Sequence, residues 1–317
     1  MNIVTLTLNP AVDKSSTIDR LVPEHKLRCA APKFEAGGGG INVAKAIRRL
    51  GGNVQAVFPS GGPTGQLLTD LLGEEGVTCQ AIPAQHWTRE NFIVVETATN
   101  GQYRFGMPGA ELSEAEAQAC LAAVKAAKPD YLVASGSLPP GLPVDFYARV
   151  ARLAHDMGAR LILDTSGEPL KLAVTEGVYL LKPNVGELSK LTNVESLEMN
   201  QVDDAAAQVI QESGCGVVVV SLGPSGALLV TKDGYEHIPA PTVHKKSTVG
   251  AGDSMVAGMT WSLAQGKTLK EMARMGVACG SAATMNAGTE LFKAHDAYKL
   301  YDWICTYSHR YALTNFD

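Results

Sequence analysis

From Ser113 onward, stretches of strand character alternate with amphipathic helical stretches at a nearly constant spacing, and this alternation limits the fold more than any other feature of the chain. Helical periodicity over 113–127 precedes a strand at 130–134. The loop Gly136-Ser137-Leu138-Pro139-Pro140-Gly141 then leads to a helix over 144–157 and a strand over 160–163 that ends at Asp164. Val217-Val218-Val219-Val220 is a continuous β-branched run, as expected of a strand buried on both faces. These features predict an α/β fold with a mainly parallel sheet, helices on both faces and ligand-binding loops at the strand C-termini. A closed barrel satisfies the same alternation. The first half begins in the same way, with a strand over 3–8 stopped by Asn9-Pro10, a strand over 54–58, a loop over 61–65 and a helix over 66–75.

Two stretches break the rhythm. Residues 14–35 read as short strands, and 88–96 with 102–105 read as a hairpin turning at Thr99-Asn100-Gly101. Together they predict a small second sheet. The domain division expected is an α/β core of 1–12, 36–85 and 107–317, with a β lid of 13–35 and 86–106.

The strongest chemical signal is Ser247-Thr248-Val249-Gly250-Ala251-Gly252-Asp253-Ser254-Met255. Gly250, Ala251 and Gly252 predict a tight turn into a helix, whose unpaired amides and dipole make an anion hole. Asp253 at its mouth is placed to take a proton from a substrate hydroxyl while the amides hold charge on a transferring phosphoryl group. A capping aspartate explains the same residue equally well. A dinucleotide fingerprint does not, because Met255 stands where its third glycine belongs.

Gly37-Gly38-Gly39-Gly40 runs directly into a helix over 41–50, and four glycines carry an entropic cost that close approach of a ligand to bare backbone would justify. Asp13 lies just beyond the first strand, where open α/β sheets carry ligand groups and where turn aspartates are also common. After Lys182-Pro183, Asn184 and Glu187 are three apart on one helical face, suited to a magnesium shell or to a helix cap. The turn Ser221-Leu222-Gly223-Pro224-Ser225-Gly226 offers room for a flat ligand, as a plain hairpin would. Gly266-Lys267-Thr268 lacks the earlier glycine of a P-loop, since Trp261 occupies that position. Residues 277–285 form a small-residue helix ended by Asn286-Ala287-Gly288, and 304–317 carry no motif, so a partly disordered tail is expected.

A formal charge of −5 gives no basic face for a nucleic acid. No apolar run reaches membrane length, and the six cysteines and seven histidines show no metal-ligand spacing. Unpaired thiols without an export signal point to the cytoplasm.

Four features occur in order: Gly37–Gly40 before Ile41-Asn42, Asn184-x-x-Glu187, the 221–226 turn, and Gly250-Ala251-Gly252-Asp253. Together they resemble the ribokinase-like (PfkB) family of carbohydrate kinases over nearly the whole chain. Lys26-Leu27-Arg28-Cys29, Trp87-Thr88-Arg89 and Tyr103-Arg104-Phe105 are similar to members that phosphorylate fructose 6-phosphate. The resemblance implies a ribokinase-like fold and an ATP- and magnesium-dependent kinase acting on the C1 hydroxyl, with Asp253 as base. Asp13, Gly38, Gly39, Asn42 and Ser137 would hold the sugar. Arg89 and Arg104 would hold its phosphate, and Lys26 would serve either the sugar or a second nucleotide site. Lys182, Asn184, the turn Ser221, Leu222, Gly223, Pro224, Ser225 and Gly226, and Val277 and Ser281 would line the nucleotide site, with Glu187 ordering magnesium. Ser247, Val249, Ala283, Asn286 and Gly288 match a potassium loop, while Glu290 departs from the basic residue expected beside it. A homodimer through the lid is implied as well. Tagatose 6-phosphate and fructose 1-phosphate are the alternative substrates; Gly39, where kinases of the 1-phosphate commonly carry lysine, favours a 6-phosphate. A catalytically silent sugar-phosphate or nucleotide sensor is the reading from another class.

Overall fold

The computed structural model describes residues 1–286 and 288–314, with side chains through Thr306. The chain opens with β1 (Ile3–Leu6), passes through β2 (Ala11–Ile18) and β3 (Lys33–Gly37), and returns along α1 (Gly39–Arg49). Next come β4 (Gln55–Ser60), α2 (Gly62–Glu74), β5 (Thr78–Pro83), β6 (Arg89–Glu96) and β7 (Gly101–Phe105). The regular half follows as α3 (Glu114–Ala127), β8 (Tyr131–Ser135), α4 (Phe146–Asp156), β9 (Arg160–Asp164), α5 (Glu168–Val174), β10 (Leu180–Leu181), α6 (Val185–Leu191), α7 (Val202–Ser213) and β11 (Val217–Ser221). It closes with β12 (Ala227–Thr231), β13 (Gly234–Ile238), α8 (Ala251–Ala264), α9 (Leu269–Thr284) and α10 (Ala294–Thr314).

A nine-stranded sheet in the order β13-β12-β11-β10-β9-β8-β1-β4-β5 forms the centre. It is parallel from β5 to β11; β12 pairs antiparallel with β11 and β13 antiparallel with β12, so β12 alone runs against the rest. The sheet is open, so the barrel alternative is excluded. Helices cover both faces because strand residues alternate sides: Val217 and Val219 join one apolar cluster, Val218 and Val220 the other. Burying each such side chain contributes about 1.5–3 kcal/mol relative to leaving it exposed. Chain order reverses at β1, which lies between β8 and β4, and at such a reversal the loops beyond the strand ends part to leave a crevice.

The smaller sheet, β3-β2-β6-β7, is built from the two stretches that broke the alternation. β2 pairs parallel with β6, and the β6–β7 hairpin turns at Asn100, whose φ is +56°. Asn tolerates that left-handed conformation better than most residues, which is why the turn sits there.

Three local expectations are corrected. Helix α2 starts at Gly62, not Gln66, because Pro63 fits the first turn, where its missing N–H costs nothing. Residues 304–314 are helical, held by Ile304 buried in the core; 315–317 lie outside the described residues. The small-residue segment is the second half of α9. There Gly276 packs on Met259 and Gly258 of α8 packs on Cys279, so both helices need glycine for close contact. Gly266 and Thr268 form the α8–α9 turn and the α9 capping box, consistent with rejecting a P-loop. Among the described residues no helix is long and apolar enough to cross a membrane.

Candidate active site

Two helix N-termini converge at the crevice. Helix α8 begins on Gly250, which adopts φ +69° and leaves the helix without a side-chain cap. Ser254 N–H donates to Gly250 O at 2.8 Å, while the Gly252 and Asp253 amides find no acceptor among the described residues. Helix α1 begins on Gly39 and presents Asn42, whose Nδ2 donates to Asp253 Oδ2 at 2.8 Å. Asp253 is therefore a half-buried carboxylate between two positive helix ends, and it does not cap its own helix. Burial raises its pKa to about 6, with Asp164 and Asp13 adding to the rise and Asn42 and Lys182 opposing it. A base poised near neutrality is what proton abstraction needs.

Lys182 follows the short strand β10 and is buried beside this carboxylate. Its Nζ pairs with Asp164 Oδ1 at 3.3 Å, and a Cβ at Gly252 would stand 3.5 Å from it. Burial works against the ammonium, but Asp164, Glu187 and Asp253 outweigh it and raise its pKa. Asp164 escaped the sequence reading as anything more than a strand end; an acid closing a parallel strand was the available signal.

Asn184 and Glu187 form a reciprocal capping box on α6. Glu187 N–H donates to Asn184 Oδ1 and Asn184 N–H to Glu187 Oε2, each at 2.9 Å. The cap thus holds Glu187 near Lys182, and burial raises the Glu187 pKa. Asp164, Glu187 and Asp253 face a single ammonium, so the region carries excess negative charge, which suits a divalent cation brought with phosphates. No group of three or more His, Cys, Asp or Glu is close enough to hold a metal by itself among the described residues.

Beside α8 opens a cleft of about 440 Å³. Of the residues singled out in the sequence, Ser221, Gly223, Pro224, Gly226, Ala251, Gly252, Val277 and Ser281 line it. Leu222 instead packs against the apolar cluster beneath the sheet, and Ser225 does not reach the cleft. Gly226, at φ +96°, leaves room for β13, since a Cβ there would meet Ile238 O. Thr248, from the strongest sequence stretch, lines it as well, while Thr242, Lys245, Gly280 and Thr284 also line the cleft and were missed, because nothing in their spacing marks them.

The glycine run corrects an expectation. No glycine in it is kept bare for a ligand alone. A Cβ on Gly37 would lie 2.4 Å from Asp13 Oδ2, on Gly39 2.3 Å from Ser135 Oγ, and on Gly40 2.5 Å from Thr7 Oγ1. Gly38 adopts φ +116° against Thr7. The run lets α1 start hard against the ends of β1 and β8, and so brings Asn42 to Asp253.

Asp13 stands opposite Asn91, whose Nδ2 donates to Asp13 Oδ1 at 2.8 Å. Burial raises the Asp13 pKa, opposed by Asn91, Lys45 and Arg89. Arg89 is half-buried, donates to Met107 O at 2.9 Å and Asn9 O at 3.0 Å, and keeps an unpartnered buried Nε. Asn9 Nδ2 donates to Ser137 Oγ at 3.0 Å, placing Ser137 at the same crevice. Arg104 lies on the exposed strand β7 and donates to Gln102 Oε1 at 3.3 Å, while Lys26 sits in the exposed 19–32 connection. No hydrogen bond or ion pair ties either cation to the core among the described residues.

Ser247 and Gly288 come together, Ser247 Oγ donating to Gly288 O at 2.8 Å and accepting from Val249 N–H at 3.2 Å. Ala283 O accepts from Asn286 N–H at 3.2 Å, and Ser247 N–H donates to Thr284 O at 3.3 Å, so the 247–249 segment lies against the end of α9. Ala287 lies outside the described residues, and Glu290 is exposed.

A model of the pfkB family carbohydrate kinases matches residues 4–295. The chain is 46% identical over 306 residues to ATP-dependent 6-phosphofructokinase isozyme 2 of Escherichia coli K12, covering 96% of this chain and 99% of that protein. It is 36% identical over 287 residues to the 1-phosphofructokinase of Xanthomonas campestris, covering 88% and 89%. Among solved structures, Escherichia coli phosphofructokinase-2 in complex with potassium superposes with a TM-score of 0.93 at 46% identity over 96% of this chain and 99% of that one. The same enzyme in complex with fructose-6-phosphate gives 0.91 at 44%, with the same coverage.

Proposed function

The chain belongs to the pfkB family of carbohydrate kinases, and from that premise we propose that it is an ATP-dependent 6-phosphofructokinase. It transfers the γ-phosphoryl group to the C1 hydroxyl of fructose 6-phosphate, giving fructose 1,6-bisphosphate, the committing phosphorylation of glycolysis. The observation that carries this is Asp253: a carboxylate with pKa near 6 at the mouth of an uncapped helix, bonded to Asn42 and flanked by Lys182.

Asp253 takes the C1 hydroxyl proton as the oxygen attacks in line. The amides of Gly250, Ala251 and Gly252, with Lys182, stabilise charge on the transferring group. Asp13, Gly38, Gly39, Asn42 and Ser137 orient the sugar, and Arg89, Arg104 and Lys26 approach its phosphate from the small sheet. We take 13–35 and 86–106 as a lid on the core, and as the contact of a homodimer. The nucleotide lies in the cleft between the 221–226 turn and Val277 and Ser281, with its phosphates toward Lys182 and Asn184. Glu187 would order the waters of a magnesium ion brought with the nucleotide, and that ion would supply neutralisation of phosphate charge. Ser247, Val249, Ala283, Asn286 and Gly288 would form a potassium site through mostly backbone oxygens; the Escherichia coli phosphofructokinase-2 has been solved in complex with potassium. The six free cysteines suit a cytoplasmic setting.

Higher identity to the 6-phosphate kinase than to the 1-phosphate kinase supports the sugar assignment. So does Gly39, where any side chain meets Ser135 and the Gly136 backbone. The test is ADP release from magnesium-ATP, with and without potassium, against fructose 6-phosphate, tagatose 6-phosphate and fructose 1-phosphate. Preference for fructose 6-phosphate is expected. Preference for another sugar moves the substrate and keeps the mechanism, while nucleotide binding without transfer to any sugar replaces it with a sensor.

A further inference from the structure

Lys45 is a buried cation that the proposed reaction does not use. It sits in the middle of α1, is 1% exposed, and points inward beneath the lid. An ammonium so placed must be paired and hydrogen-bonded to be tolerated. It has both partners, and both are informative. Its Nζ pairs with Glu75 Oε1 at 3.0 Å, and Glu75 in turn pairs with Arg49. It also donates to Ala36 O at 2.9 Å. Ala36 is the penultimate residue of β3, directly before Gly37-Gly38, the elbow through which the small sheet joins α1. Gly37 in that elbow packs against the Asp13 carboxylate, so Lys45 fixes the backbone that touches Asp13.

We propose that Lys45 is a positioning residue for sugar binding: it pins the elbow between the small sheet and α1, and so sets where the Asp13 carboxylate stands in the crevice. The inference rests on Asp13 being the sugar ligand of the proposed reaction. The groups facing Asp13 are Asn91 and Arg89 on β6, Lys45 on α1, Glu35 on β3, and Asp253 on α8. Only Lys45 among them both holds the elbow and offsets the burial of the carboxylate. Asp13 accepts hydrogen bonds from sugar hydroxyls when ionised. Loss of the Lys45 charge therefore raises its pKa further and moves the acid limb of 1/KM to higher pH.

The test is steady-state kinetics from pH 5 to 8 on wild type, Lys45→Met, Lys45→Arg and Glu75→Gln, with each sugar phosphate and with ATP, alongside thermal melting. Lys45→Met is expected to raise KM for the sugar phosphate by about tenfold, with kcat and the KM for ATP changed by less than about threefold. Its acid limb moves up in pH. Lys45→Arg restores most of the affinity. Glu75→Gln, which keeps the bond to Ala36 and removes a neutralising carboxylate, moves the limb down, and it remains informative if Lys45→Met does not fold. Unchanged sugar KM and unmoved limbs in both Lys45→Met and Glu75→Gln, with only the melting temperature lowered, overturn the inference. If wild type itself transfers to no sugar phosphate, the proposed function has failed instead.

Discussion

Replacing Asp253 by asparagine should make the protein more stable and nearly inactive, and the stability gain should itself depend on pH. The Asp253 pKa is raised from 3.8 to about 6 in the folded state, so the native protein binds this proton more tightly than the unfolded chain. Stability from this group is fully present below about pH 4 and is lost as pH rises through 6. At about 1.4 kcal/mol per pKa unit, ionised Asp253 costs the fold up to about 3 kcal/mol at pH 7.5 and about half that at pH 5. Solvent contact at the half-buried carboxylate trims the figure to about 2 kcal/mol at pH 7.5. Asparagine keeps the shape and removes the charge. Urea unfolding at both pH values should show the variant more stable than wild type, with the larger gain at pH 7.5. Turnover should fall by about 10²–10⁴-fold, the usual worth of a general base. The wild-type rate should itself decline below about pH 6 as the base is protonated. A gain that is the same at both pH values, or a variant less stable than wild type at pH 7.5, would refute the electrostatic reasoning. Near-normal turnover would refute the base.

Three further outcomes follow from the same geometry. Lys182→Met strands Asp164 and Asp253 without their cation, so unfolding in urea should show a loss of about 3 kcal/mol, and isothermal titration a weaker affinity for magnesium-ATP. Gly39→Ala drives a methyl into Ser135 and the Gly136 backbone, and should cost about 1–3 kcal/mol in chemical denaturation while raising the sugar KM. Asn184→Ala removes half of the α6 capping box, for about 1 kcal/mol by thermal melting, and a magnesium titration of the rate should show a higher requirement as Glu187 loses its anchor.

The main sheet was legible because strand and helix periods differ and strands such as β8 and β11 are near-continuous apolar runs, whereas the edge strand β5 (Thr78–Pro83), half exposed, was not read. The 217–220 strand is the plainest case. Helix α2 was misplaced because glycine and proline read as loop, although proline suits a first turn. The glycine run at 37–40 was correctly marked as constrained but for an incomplete reason. Sequence shows the absence of side chains and not what fills the space, which here is Asp13, Thr7 and Ser135. The cleft wall at Thr242, Lys245 and Thr284 was illegible because it is assembled from the approach to α8 and the end of α9, distant in sequence. Lys45 was hidden for a similar reason: a lysine on an amphipathic helix reads as solvated until the fold turns it inward.

The arrangement also explains why charge here favours transfer over simple binding. Asp164, Glu187 and Asp253 press on one ammonium, and the Asp253 pKa is raised first by burial and then by Asp164, against which Lys182 is only a partial counterweight. A nucleotide arriving with its own cation adds phosphate charge opposite the α8 amides and cationic charge near Glu187. Where the cation outweighs the phosphate charge at Asp253, it would lower the Asp253 pKa and leave the base more fully ionised in the ternary complex than in the free enzyme. The acid limb of kcat should therefore lie below that of kcat/KM, since kcat reports the bound enzyme and kcat/KM the free one. Measuring both limbs on one preparation tests this. Coincident limbs, or a kcat limb at the higher pH, would mean that the carboxylates do not sense the bound cation and that Glu187 acts as a helix cap alone.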